Sequence, residues 1–197
     1  MSAIAPSPLF RPEAIVIGAS AGGVQALQRL LAALPASTGA AVAIVLHLPP
    51  DRPSGLAALL SECCALPVTE ALDKQPMTPG TVVVAPPDYH LLVEPDRTLA
   101  LSVDAPLLYS RPAIDPLFDS AAVAYGPRLL GIVLTGASRD GSEGLAAVRR
   151  HGGQAWVEAP STAAVSTMPA AALAHAGADL VAPLEELGAQ LRAFARP

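Results

Sequence analysis

The 197-residue chain reads as one α/β domain built on a doubly wound, mostly parallel sheet with an antiparallel β-hairpin. Three observations predict this. The runs EAIVIG (13–18), AVAIVL (41–46) and GIVLT (131–135) are apolar almost without interruption, the pattern of parallel strands covered on both faces. Segments of helical spacing, such as VQALQRLLAAL (24–34), alternate with them. Two further runs, YHLLV (89–93) and TLALSV (98–103), are separated only by Glu94-Pro95-Asp96-Arg97, a turn composition that predicts a hairpin.

Residues 1–12 carry three prolines and no periodicity, so they read as a loose leader, and the domain is expected over 13–197. A second helix is expected over Ser54–Cys63 and a strand over Thr81–Pro86. Ile114–Tyr125 has helical spacing, as does the stretch from Ser142 to His151 after GIVLT. Gln154–Glu158 reads as a strand, Leu180–Ala182 as a short one, and Leu184–Phe194 as a closing helix. The 21 prolines are scattered at the ends of these elements, where they act as stops.

Composition excludes several classes of function. A chain of this length buries about 70% of the surface its unfolded form exposes, so it folds without disulfides or metal. Hydrophobic residues make up 52% and charged residues 15%, the reverse of a disordered chain. The net charge of −5 and the lack of any Lys/Arg run argue against nucleic acid as a partner. The adjacent cysteines, Cys63 and Cys64, are expected to be reduced, partly buried thiols on a helix, as in a cytosolic protein. No signal peptide and no apolar run of the ~20 residues needed to cross a bilayer is visible. A cytoplasmic location without membrane insertion is the expectation.

The chemistry concentrates at three strand ends. Gly18-Ala19-Ser20-Ala21-Gly22-Gly23 lies between a strand and a helix and matches G-x-S-x-G, where a serine tops a sharp turn. The following helix aims free N–H groups at that turn, and the Ala21 N–H is a candidate oxyanion donor. The same glycines also suit a phosphate loop in a nucleotide-binding α/β protein, with LTGASRDG (134–141) as a second such loop. A dinucleotide binder places Asp or Glu at the end of its second strand. Here AVAIVL ends in His47, which favours the hydrolase. Asp140 follows the GIVLT strand and precedes Gly141, a position that also suits a turn or helix cap. Ser20, His47 and Asp140 thus each fall at the carboxyl end of an expected parallel strand, where ligands bind in open α/β sheets. His90, His151 and His175 have structural readings at a hairpin and at helix ends, and the histidine spacing is not that of a metal site.

These motifs resemble the catalytic domain of the CheB-type chemotaxis protein-glutamate methylesterases. GASAGG resembles that family's nucleophile motif, VLHLPP (45–50) its histidine segment and LTGASRDG its aspartate segment. VVVAPPDYHLLV (82–93), RPAIDPLFDSAA (111–122) and AVSTMPAAAL (164–173) are similar to further signatures, so the likeness spans roughly 13–190. It implies a Rossmann-like fold, a Ser20-His47-Asp140 triad, no cofactor, and hydrolysis of γ-glutamyl methyl esters on methyl-accepting chemotaxis receptors, often with deamidation of receptor glutamines.

Three features depart from the family pattern. Ala21 stands where many members have Thr. Ala137-Ser138-Arg139 stands where Met-Gly-Asn is frequent, which alters the pocket wall and adds a charge. Well-known members also carry an N-terminal receiver domain, which twelve residues cannot form. Activity without phosphorylation is therefore expected of this chain, with a separate receiver protein as a candidate regulator. The rival readings are a nucleotide-binding Rossmann-like protein and a catalytically idle docking module.

Overall fold

A computed structural model describes residues 10–49 and 54–194, so most of the expected leader lies outside the described residues. β1 (Ala14–Ala19) leads into α1 (Gly23–Leu31), β2 (Ala41–Leu46) and α2 (Leu56–Ser61). β3 (Val68–Glu70) and β4 (Val82–Val84) follow, then the pair β5 (His90–Val93) and β6 (Leu99–Ser102). The second half runs α3 (Ile114–Tyr125), β7 (Leu129–Val133), α4 (Ser142–Arg150), β8 (Gln154–Glu158), α5 (Thr167–Ala176), β9 (Leu180–Ala182) and α6 (Leu184–Arg192).

Seven strands form one parallel sheet in the order β3-β4-β2-β1-β7-β8-β9, and β5 and β6 pair antiparallel as expected. The chain winds outward from β1 through β2 and returns to the other side of β1 with β7. The strand order therefore reverses at β1, the place where open α/β sheets bind ligands beyond the strand carboxyl ends.

The apolar runs form strands because both faces of the sheet are covered. All six residues of β1 and of β2 are buried, and so are all five of β7. Alternation divides them between two cores. Ala14 and Val16, with Ala43 and Val45, face Leu117, Phe118, Leu145 and Met168 of α3, α4 and α5. Ile15, Ile17 and Ala19, with Val42 and Ile44, face Leu27, Leu30, Leu60 and Leu187 of α1, α2 and α6. The hairpin adds Leu91, Val93 and Leu99 to the first core.

The sequence reading needs four adjustments. The Thr81–Pro86 segment contributes only Val82–Val84, which pairs parallel with β2 and β3 and not with the hairpin. The second helix is shorter than Ser54–Cys63, so the free thiols Cys63 and Cys64 follow α2 instead of riding on it. Burial raises the pKa of both thiols, which keeps them protonated. β3 and α5 were not anticipated. β3 is a three-residue edge strand with exposed side chains, and α5 is an alanine-rich helix with little apolar asymmetry.

Gly18 ties the fold to the site. It sits on the α3 side of β1, where a Cβ would run into the Ile114 side chain at the start of α3. Gly18→Ala is expected to push the α3 N-terminus off the sheet and destabilise the protein by about 1–3 kcal/mol, the usual cost of overpacking. Urea denaturation checks this, and an unchanged midpoint would show that Ile114 gives way freely.

Candidate active site at the carboxyl ends of β1, β2 and β7

The register of the sheet brings Ser20 and His47 to one edge. Ala19 pairs with Leu46, so the next residues on the two neighbouring strands are Ser20 and His47. The His47 N–H donates to the Ala19 carbonyl at 3.2 Å, and the Ser20 N–H donates to the Thr135 carbonyl beyond β7 at 2.9 Å. Continuing the alternation of β1 and β2, Ser20 and His47 both fall on the face of the sheet that α3 covers.

Asp140 reaches the same place from the loop after β7. Its Oδ2 lies 2.7 Å from His47 Nε2 and accepts the Ile114 N–H at 2.6 Å. Its Oδ1 accepts the Asp115 N–H at 3.1 Å and the Gly141 N–H at 2.9 Å. The carboxylate therefore serves as a cap for α3, whose own preceding residue, Ala113, offers no side-chain cap. This corrects the simple picture of Asp140 opening α4, since Gly141 precedes that helix, at φ 88°, and the aspartate stabilises a different one. Asp140 is fully buried. Burial opposes its ionisation, but the hydrogen bonds from His47 and the two α3 amides outweigh this and lower its pKa.

An ionised carboxylate only accepts hydrogen bonds. The 2.7 Å contact therefore requires His47 Nε2 to carry hydrogen, which leaves Nδ1 as the ring nitrogen with a free lone pair. His47 has 12% of its side chain exposed, so it is both held and reachable.

The turn after β1 is built for close approach. Gly22 adopts φ +78°, and a Cβ there would lie 2.7 Å from Ala164 Cβ. A Cβ on Gly23 would lie 2.6 Å from Leu46 Cδ1. Ser20 O accepts the Gly23 N–H at 2.7 Å. Because C=O and N–H are antiparallel across a trans peptide, the Ala21 N–H then points away from the helix, at an exposed residue. An apolar cleft of about 390 Å³ lies past β2, lined by Val24, Leu46, Leu48, Leu56 and Pro87 among others.

The remaining histidines have structural partners or positions. His90 accepts the Ala113 N–H at Nδ1 (3.1 Å), and its Nε2 lies 3.2 Å from the Ala105 carbonyl. His175 pairs with Glu143 at 2.9 Å, and His151 caps the end of α4. Among the described residues, no group of three or more His, Cys, Asp or Glu could hold a metal ion.

Three residues of the site's surroundings escaped the sequence reading: Asp115, Thr135 and Glu158. Asp115 accepts the Gly144 N–H at 2.7 Å and so caps α4 from the first turn of α3. Glu158 is 1% exposed at the end of β8 and accepts the Thr135 N–H at 2.8 Å. Each stands at a helix start or strand end, which is the signal that could have found it.

Comparison with known proteins places the chain. The family model described as CheB methylesterase matches residues 15–191. The chain belongs to the CheB methylesterase family. It is 40% identical over 175 residues to a Leptospira interrogans relative, covering 89% of this chain and 91% of that one. It is 41% identical over 200 residues to the protein-glutamate methylesterase/protein-glutamine glutaminase of a Nocardioides species, covering all of this chain and 54% of the other. An Anaeromyxobacter dehalogenans protein with that double name is matched at 40% identity over 193 residues, 98% of this chain and 56% of the other. The chain thus spans nearly the whole of one relative and about half the length of the others. The crystal structure of the Thermotoga maritima CheB methylesterase catalytic domain superposes with a TM-score of 0.87 at 32% identity, over 92% of this chain and 97% of that one. Family membership sides with the hydrolase reading and against the nucleotide-binding one. Among the described residues, no helix is long and apolar enough to cross a membrane.

Asp115 makes the site's surroundings sensitive to pH. Burial, and then the neighbouring charges of Asp140 and Asp119, push its pKa up from 3.8 to about 7, against the Gly144 hydrogen bond. A folded-state value above the unfolded one gives stability that is complete below about pH 4 and lost as pH rises through about 7. Asp115→Asn retains an oxygen for Gly144 and never ionises. Its Tm relative to the wild type should therefore be more favourable at pH 8 than at pH 4. Calorimetry at the two pH values tests this, and a pH-independent difference would contradict it.

Proposed function

We propose that this chain is a protein-glutamate methylesterase that hydrolyses γ-glutamyl methyl esters of methyl-accepting chemotaxis receptors, with Ser20 as nucleophile, His47 as general base and Asp140 as its orienting carboxylate. The observation that carries the reading is the 2.7 Å His47–Asp140 hydrogen bond, beside Ser20 at the strand edge. On this reading residues 13–197 form the catalytic domain, and receptor glutamines are a second substrate class, as the relatives' double name suggests.

The chemistry is acyl transfer in two halves. His47 takes the Ser20 proton at Nδ1 as the oxygen attacks the ester carbonyl. The imidazolium that forms is stabilised by Asp140, which remains ionised. The oxyanion is met by the Ala21 N–H and the positive end of α1. Methoxide is a poor leaving group, so the proton on His47 Nδ1 passes to it and methanol departs. Water then repeats the cycle on the acyl-serine and frees the glutamate. For a glutamine the departing group is ammonia, and the later steps are the same.

Ser20→Ala is expected to lower methanol release from methylated receptor by about 10⁶-fold with the fold retained. Asp140→Asn should cost about 10⁴-fold, because an amide no longer enforces the Nε2–H tautomer. The assay is methanol release at saturating receptor, with circular dichroism to confirm folding. Near-native turnover in folded Ser20→Ala would remove the nucleophile assignment, and with it the mechanism.

A further inference from the structure

Thr135 stands at the centre of a set of contacts that the mechanism above does not use. It is 1% exposed, two residues past β7, beneath the turn that carries Ser20. Its carbonyl accepts the Ser20 N–H at 2.9 Å, and its N–H donates to Glu158 Oε2 at 2.8 Å. Its Oγ1 lies 2.9 Å from the Ala21 carbonyl and 3.3 Å from the Val165 carbonyl, and accepts the Val165 N–H at 2.8 Å. The hydroxyl has a single proton to give. The Val165 carbonyl already receives the Gly136 N–H at 3.1 Å, so the shorter contact to Ala21 takes that proton.

Three successive peptides of the turn are thereby fixed. The 19–20 peptide is held on both sides, by His47 N–H on its oxygen and by the Thr135 carbonyl on its nitrogen. The 20–21 peptide is held through Gly23 N–H, and this aims the Ala21 N–H outward. Among the described residues, the 21–22 peptide is held by the Thr135 hydroxyl alone. That last peptide precedes Gly22, which sits at φ +78° and as a glycine has little intrinsic preference for one orientation. A flip would reverse the Gly22 N–H and put a carbonyl oxygen in its place at the head of α1, where the developing negative charge would meet repulsion in place of a donor.

We propose that Thr135 is a positioning residue for the esterase reaction: its hydroxyl locks the Ala21–Gly22 peptide, so that the turn bearing Ser20 presents N–H groups, not a carbonyl, to the reacting ester. Glu158 supports the lock from behind by tethering the Thr135 amide. Burial raises the pKa of Glu158, and the Thr135 hydrogen bond works against that rise. This inference rests on the methylesterase reading of Ser20.

The test compares Thr135→Val, which keeps the shape and deletes the hydroxyl, with Thr135→Ser, which restores it. Thr135→Val should lower kcat for methyl-ester hydrolysis by about 10²-fold, the cost of a misplaced reacting group, while KM changes by less than about twofold. Thr135→Ser should recover most of the turnover. A loss shared equally by the two variants, or a loss confined to KM, would overturn the proposal. Backbone amide exchange supplies a readout independent of catalysis. The Gly23 N–H, bonded to Ser20 O, should exchange at least about tenfold faster in Thr135→Val than in wild type, and near the wild-type rate in Thr135→Ser. If Thr135→Val does not fold, Thr135→Cys carries the same expectation, because its S–H is a weak donor. Wild-type protein that releases no methanol would sink the esterase reading alone if the exchange pattern still followed the hydroxyl. Unchanged exchange and unchanged kcat in a folded hydroxyl-free variant would sink the lock.

Discussion

The Asp140 carboxylate at the N-terminus of α3 is the constraint on which the site depends. A fully buried charge is costly unless its oxygens are engaged. Here both are, by two amides of α3, by Gly141 and by His47. The helix gains a cap that its own preceding residue does not supply, and the aspartate gains the positive end of the helix. The histidine is left with one free nitrogen, directed by elimination. A single side chain thus joins a packing decision, where α3 begins, to a chemical one, which imidazole nitrogen is basic.

The reciprocal arrangement of the two helices strengthens that constraint. Asp140, just ahead of α4, caps α3, and Asp115, in the first turn of α3, caps α4 through Gly144. The close approach this needs is possible because Gly144 has no side chain: a Cβ there would lie 2.5 Å from Phe118 Cβ. Moving either helix would therefore disturb both carboxylates at once. The raised pKa of Asp115 follows from the same geometry, since this half-buried acid shares one corner of the molecule with the buried Asp140.

Much of this was legible in the sequence, for physical reasons that differ between residues. Ser20 and His47 stand at the ends of uninterrupted apolar runs, and such runs in an α/β chain mark parallel strands whose carboxyl ends form the binding edge. The location of Asp140 was equally legible, but the helix it serves was not. Local spacing ties an aspartate to the helix that follows it, while the hydrogen bonds made here connect residues 25 and 26 positions apart. β3 lacked a signal because a three-residue edge strand, with Thr69 and Glu70 exposed and Val68 half-buried, has no apolar run to show. α5 lacked one because nearly all its positions are alanine or apolar, so no face stands out.

Thr135 and Glu158 illustrate a further limit. In the sequence, Thr135 is one more polar residue after a strand, and Glu158 one more acid at a strand end. Their importance comes from stacking order: β7 lies between β1 and β8, so residues at the carboxyl ends of the three strands meet in one layer beneath the Ser20 turn. Pairwise motifs do not reveal such a layer, because its members are contributed by elements more than a hundred residues apart, as in the contact from Thr135 to Ala21. The parallel sheet makes the layer almost unavoidable once the strand order is set. Parallel strands end together, and their unpaired terminal amides and carbonyls must be satisfied by whatever side chains stand there. A buried threonine and a buried acid at that level meet the requirement, and the glycine turn above them is thereby held in one conformation.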